Sequence, residues 1–312
     1  MTRRARILLL SAALGFLVHS GAMAQAGMVR ERIAERIADR RAQAGADELE
    51  QEATGAASRV PLPAGVGLLK DVAYGNDPRQ RFDVYAAKGL AQAPVILLVH
   101  GGGWRSGDKA MGRLIDNKVA RWASQGFIVV SVNYRLLPQA DVAAQAADVG
   151  AALALAQQQA AGWGGDRARF ILMGHSAGAH LVSLLASAPT PAGVTPWRGA
   201  VALDSAAFDV ELIMRNRHFP LYDRAFGADP ALWKAVSPYA ALAGAGQPLL
   251  AVCSSRRADS CAQAQRYAAR AQAMGRRVHV LPQDLSHGEI NATLGLPGAY
   301  TDAVDQFLRA LL

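Results

Sequence analysis

Cysteine is nearly absent from this chain: 312 residues hold two, Cys253 and Cys261. Two thiols without a zinc-like set of partners exclude a cysteine-built metal centre and a disulfide-dense scaffold. Charge is sparse as well. Charged residues make up 19% of the chain and hydrophobic residues 51%, which excludes a disordered chain and predicts a globular fold. Aromatics are only 6%, and no Lys/Arg block is interleaved with them, so nucleic-acid binding has little support. Long apolar runs are missing too. The longest, "ILLLSAALGFLV", has 12 residues, too few for a stable membrane span.

That short run has a different meaning from its flanks. "MTRRAR" precedes it as a positive n-region, and "AMA" at 22–24 supplies the small residues a signal peptidase requires. The sequence therefore predicts a signal peptide over 1–24 and a mature chain from near Gln25, periplasmic or secreted. That mature chain carries 30 basic against 25 acidic residues, a mildly basic balance. Residues 25–64 are rich in Arg, Glu, Ala and Gln, with Ile33 and Ile37 at helical spacing but a thin apolar stripe. They are expected to form an N-terminal leader, helical or disordered, without chemistry.

From about residue 65 the texture changes. "RFDVYAA" (81–87) alternates like a strand, and "PVILLVH" (94–100) is a continuous apolar run suited to a strand buried on both faces. Five further runs read as strands: "GFIVVSVNY" (126–134), "RFILMGH" (169–175), "GAVALDS" (199–205), "PLLAVCS" (248–254) and "RVHVLPQ" (277–283). Helical patterns lie between them, as in 141–159, 176–187, 260–275 and 301–312. Alternating strands and helices imply an α/β fold: one mostly parallel sheet covered on both faces, in a single domain over 65–312. The stretch 206–247 lacks a clear strand and reads as a small insertion over the sheet edge, suited to a lid or pocket wall.

Two glycine motifs sit where strands end. "GHSAG", Gly174 to Gly178, joins a buried strand to a helix, which lifts the Ser176 hydroxyl clear of the sheet above a helix N-terminus. "HGGGW", His100 to Trp104, follows another buried strand, and its successive glycines can aim backbone N–H groups at an oxyanion.

Together "HGGGW" and "GHSAG" resemble the α/β-hydrolase superfamily, in its hormone-sensitive-lipase-like and bacterial carboxylesterase branches, with feruloyl- and acetyl-esterase-like relatives. "RQRFDVYAA", "SGDK", "VSVNYRLLP" and "DVGAAL" agree, and the resemblance spans roughly 67–312. It implies a serine esterase that forms an acyl-enzyme, with Gly101, Gly102 and Ala177 as the oxyanion hole and neither metal nor organic cofactor. Triad order in this fold is nucleophile, acid, base. His287, in "LSHGE" after the last strand, takes the place of the base. The acid is expected after "PLLAVCS", where Asp259 is the sole acidic residue between Gln247 and Asp284. Asp204 and Asp209 follow an earlier strand and Asp284 lies too near His287, so Asp259 is preferred; its competing role is to cap the helix that follows.

In an exported chain Cys253 and Cys261 are expected to pair, closing a small loop around that carboxylate. The implied substrate is a small-molecule or polysaccharide-linked ester. An arylformamidase or other amide hydrolase would use the same triad, although such relatives usually carry an aromatic where this chain has Gly103. A non-catalytic binding protein on the same scaffold would need no triad. Oligomeric state is not legible.

Overall fold

The computed structural model describes residues 56–244 and 246–312, together with Arg30, Arg32, Ile33 and Arg36. The chain divides into two compact units, residues 1–47 and 48–312. In the first, the four described residues are helical and exposed. The expected signal peptide, and most of the expected leader, lie outside the described residues. Residues 56–58 belong to the second unit: Ala57 bridges Met111, and the Ser58 N–H donates to the Ala110 carbonyl. No helix among the described residues is long and apolar enough to cross a membrane.

The described residues of the second unit form the α/β-hydrolase fold. Eight strands make one sheet in the order β1-β2-β4-β3-β5-β6-β7-β8. They are β1 (Val66–Ala73), β2 (Arg81–Ala87), β3 (Ala93–Val99), β4 (Ile128–Val132), β5 (Gly165–His175), β6 (Gly199–Leu203), β7 (Leu249–Ser254) and β8 (Val278–Gln283). β2 pairs antiparallel with both β1 and β4, and the remaining neighbours pair parallel. The strand expected first is thus the second. β1 carries half-exposed and exposed positions, including Leu69, and contains a glycine, so its pattern is weak.

The central strands read as continuous apolar runs because helices cover both of their faces. α1 (Gly112–Trp122) and α10 (Ala299–Ala310) lie on one side, where Trp122 and Leu308 pack with Ile96 and Leu98 of β3. α2 (Val142–Gln159) and α3 (Ala177–Ser187) lie on the other, where Leu153 and Leu181 pack with Val95 and Leu97. The side chains of β3 alternate between these two cores as a strand requires. All residues of α3 are buried, so the helix behind the candidate nucleophile is a core element.

The insertion after β6 is helical: α4 (Val210–Met214), α5 (Pro220–Phe226), α6 (Pro230–Ala235) and α7 (Pro238–Ala241). Proline opens three of these helices, where its missing N–H leaves no bond unmade. α8 (Ala258–Ala273) follows β7, and α9 (His287–Thr293) follows β8.

Candidate active site

Ser176 stands between β5 and α3 with φ +55° and ψ −118°, a region non-glycine residues rarely enter. Its N–H donates to the Leu203 carbonyl at 2.9 Å, fastening the turn to the neighbouring strand end. Both motif glycines are required sterically. A Cβ on Gly174 would lie 2.3 Å from the Gly178 carbonyl oxygen, and one on Gly178 would lie 2.2 Å from the Val99 oxygen. Five non-glycine described residues have positive φ, and three of them, Trp104, Ser176 and Asp204, line one cleft. Such backbone costs about 1–3 kcal/mol per residue and concentrates at functional sites.

That small cleft is lined by Trp104, Ser176, Ala177, Asp204, Ser205, Ala206, Ala207, Leu221, Tyr222, Arg257 and His287. Gly101 packs against the serine: a Cβ there would lie 2.9 Å from Ser176 Cβ. Gly101 and Gly102 also line a second small cavity with His100, His175 and Asn291. The loop is held open by its partners. The Ser106 N–H and hydroxyl donate to the Gly102 carbonyl at 3.1 and 2.8 Å, and His100 Nδ1 bonds the Gly101 carbonyl at 2.7 Å. Burial pushes His100 down to about 4, so it serves this loop as a neutral ring. Trp104 donates from Nε1 to His180 Nδ1, and His180 Nε2 reaches the Val236 carbonyl at 2.7 Å.

The other family-like pieces support the same loop from behind. Asn133 of "VNYR" accepts the Lys109 N–H at 2.6 Å and donates to Asp108 of "SGDK" at 2.7 Å. Lys109 Nζ is 2.7 Å from the buried Asp83 carboxylate and 2.8 Å from Asp71. Arg135 clasps Asp148 of "DVGAAL" through two nitrogens, at 2.9 and 2.7 Å.

His287 is the first residue of α9, behind a capping box in which Ser286 and Glu289 satisfy each other's N–H groups. Its carbonyl is bonded by His175 Nε2 at 3.1 Å. Burial, then the neighbouring His287, holds His175 well below the usual histidine range, so it ties the elbow to the base helix as a neutral ring.

The carboxylate on His287 is Asp204, and this corrects the expectation of Asp259. Asp204 Oδ2 lies 2.6 Å from His287 Nδ1. Asp204 follows β6, the strand beside β5, so its carboxylate emerges next to the serine elbow. Asp259 sits instead in the first turn of α8, its side chain 39% exposed and 3.5 Å from Arg257 Nη2. Nor does it cap that helix: Arg257 occupies the N-cap position. The turn after β7 is used up by Ser255, Arg256 and Arg257, which leaves Asp259 inside the helix and facing out. Asp209 caps α4 and pairs with Arg266, and Asp284 pairs with Arg256 on the surface.

Cys253 and Cys261 are joined as a disulfide, their Cα atoms 5.1 Å apart. The loop they close does not carry the carboxylate that meets His287; it clasps it. The Ser254 N–H donates to Asp204 Oδ1 at 2.7 Å, the Ser260 hydroxyl donates to the same oxygen, and Arg257 Nη1 donates to Oδ2 at 2.7 Å. Burial would raise the Asp204 carboxyl, but Arg257, His287 and Ser260 together hold it well below the usual carboxylate range. Sequence reasoning missed Asp204, His175 and Arg257. A carboxylate at the C-terminal end of a strand was the available signal, since sites in open parallel sheets gather at those ends. Replacing both cysteines by serine should lower the turnover of the still-folded protein; unchanged turnover with a lowered melting temperature would assign the bridge to stability alone.

Comparison with known proteins finds similar segments and a similar fold among esterases. A protein-family profile, BD-FAE, matches residues 82–200. Esterase LipC of Mycobacterium tuberculosis is 37% identical over 116 residues, 36% of this chain and 28% of LipC. LipQ, an esterase of the same organism, is 32% identical over 188 residues, 54% of this chain and 44% of LipQ. Isoprenylcysteine alpha-carbonyl methylesterase of Arabidopsis thaliana is 33% identical over 117 residues, 37% of this chain and 27% of that protein. The chain therefore spans less than half the length of these relatives. Among solved structures, esterase B of Lactobacillus rhamnosis superposes with a TM-score of 0.66 at 22% identity, covering 90% of this chain and 94% of that one. A carbohydrate esterase from gut microbiota, in truncated form, gives 0.68 at 16% identity, covering 80% and 98%. The chain thus has the α/β-hydrolase fold, and the segments that match are similar to those of carboxylic ester hydrolases.

Proposed function

We propose that this protein is an exported serine esterase that hydrolyses carboxylic esters through an acyl-enzyme. One observation carries the reading. The strained Ser176 opens onto the same cleft as His287, whose Nδ1 is 2.6 Å from a buried carboxylate. In this reading His287 Nε2 takes the Ser176 proton as Oγ attacks the ester carbonyl. Asp204 holds the Nδ1–H tautomer and stabilises the imidazolium that forms. The N–H groups of Gly101, Gly102 and Ala177 receive the oxyanion, with the N-terminus of α3 adding favourable potential. His287 then protonates the leaving alcohol, and water repeats the sequence on the acyl-enzyme.

The names esterase and methylesterase among the relatives support an ester over an amide. The signal-like first 24 residues and the Cys253–Cys261 bridge support export to an oxidising compartment. Trp104, Leu221 and Tyr222 bound the cleft and are placed to select the acyl group.

The test is a fluorophosphonate label combined with parallel assays of p-nitrophenyl esters, acetylated xylan, feruloyl esters and N-formyl aromatic amines. Labelling that disappears in Ser176→Ala, with ester turnover, is expected. Equal labelling of Ser176→Ala, or turnover of the amides with inert esters, would overturn the assignment.

A further inference from the structure

Arg257 stands inside the constellation rather than beside it. Its Nη1 is 2.7 Å from Asp204 Oδ2 and 2.8 Å from His287 Nδ1, and Nδ1 is 2.6 Å from that same Oδ2. The guanidinium side chain is 16% exposed and lines the cleft. Ester hydrolysis by a serine requires a neutral imidazole oriented by a carboxylate. It does not require a permanent cation within hydrogen-bond distance of that imidazole. A cation there opposes the imidazolium formed when the serine is deprotonated, so its presence calls for a role.

We propose that Arg257 is a positioning residue of the triad: it locks the Asp204 carboxylate in the orientation that faces His287 Nδ1. The proposal rests on the Ser176, His287 and Asp204 reading above. The lock is geometric. Two donors, Nη1–H of Arg257 and Nδ1–H of His287, converge on Oδ2, while the Ser254 N–H and the Ser260 hydroxyl occupy Oδ1. A carboxylate held by four donors cannot rotate away from the imidazole.

That carboxylate is what orients the ring. Asp204 faces the imidazole from the end of β6, and Arg257 faces both from the turn after β7. With the guanidinium removed, Oδ2 keeps His287 as its donor but loses the second one, and the carboxylate gains freedom to turn.

The experiment uses the full chain with Arg257→Gln and Arg257→Lys. It measures kcat and KM separately for p-nitrophenyl acetate, with fluorophosphonate titration of every protein so that rates refer to competent sites. Arg257→Gln should lower kcat by about tenfold with KM within about twofold of wild type, and Arg257→Lys, which keeps a donor for Oδ2, should recover most of the loss. A loss in Arg257→Gln that Arg257→Lys does not recover, or an unchanged kcat in both, would overturn the proposal. Should Arg257→Gln fail to label, Arg257→Met takes its place with the same two readings. Wild-type protein that does not label would instead defeat the triad reading itself.

Discussion

Asp204→Asn is expected to lower kcat on p-nitrophenyl esters by about 10⁴-fold, while Asp259→Asn stays near wild type. The amide would present its NH₂ or its weaker carbonyl to Nδ1 where a carboxylate now accepts at 2.6 Å. The tautomer with its lone pair toward Ser176 then loses its support, and so does the imidazolium. Asp259 has no comparable hold on the ring, because its carboxylate reaches only Arg257, at 3.5 Å. Both variants are to be assayed below their melting temperatures, since an amide in place of the Asp204 carboxylate would leave the Arg257 charge without its closest partner. A large loss in Asp259→Asn with an active Asp204→Asn would reverse the assignment.

The second large effect concerns stability. Lys109→Met should cost about 3–5 kcal/mol in urea unfolding, because it leaves the buried Asp83 carboxylate without its cation. The Asp71 N–H would remain as a partner at 2.8 Å, too little to compensate a charge. Adding Asp83→Asn should recover part of the loss by removing the stranded charge. A cost below about 1 kcal/mol for Lys109→Met would place the pair among weak surface bridges instead.

Much of the fold was legible in the sequence, for a physical reason. Strands buried on both faces, such as "PVILLVH", must be continuous apolar runs, and the glycines of "GHSAG" and "HGGGW" mark places where no Cβ fits. β1 escaped because it lies at the sheet edge and is half exposed, so its pattern carries little contrast. Ser176 and His287 were singled out by motif and position, and the structure sets both on one cleft. The carboxylate that meets His287 was not, since no local pattern says which strand end turns its carboxylate toward the imidazole. That choice depends on a positive φ at Asp204 and on three donors supplied from residues 254–260, about fifty positions further along the chain. The cysteine pair pointed to the right neighbourhood, while the carboxylate that meets His287 comes from the end of β6.

The contact between Gly103 and Leu221 carries a last consequence. A Cβ at 103, where φ is +57°, would lie 2.8 Å from Leu221 Cδ1. The room next to 103 is therefore already taken by a residue of α5, more than a hundred positions later. A side chain at 103 would push the end of Leu221 aside and so move the wall of the cleft as well as the loop, so a substitution at 103 is also a change in the insertion.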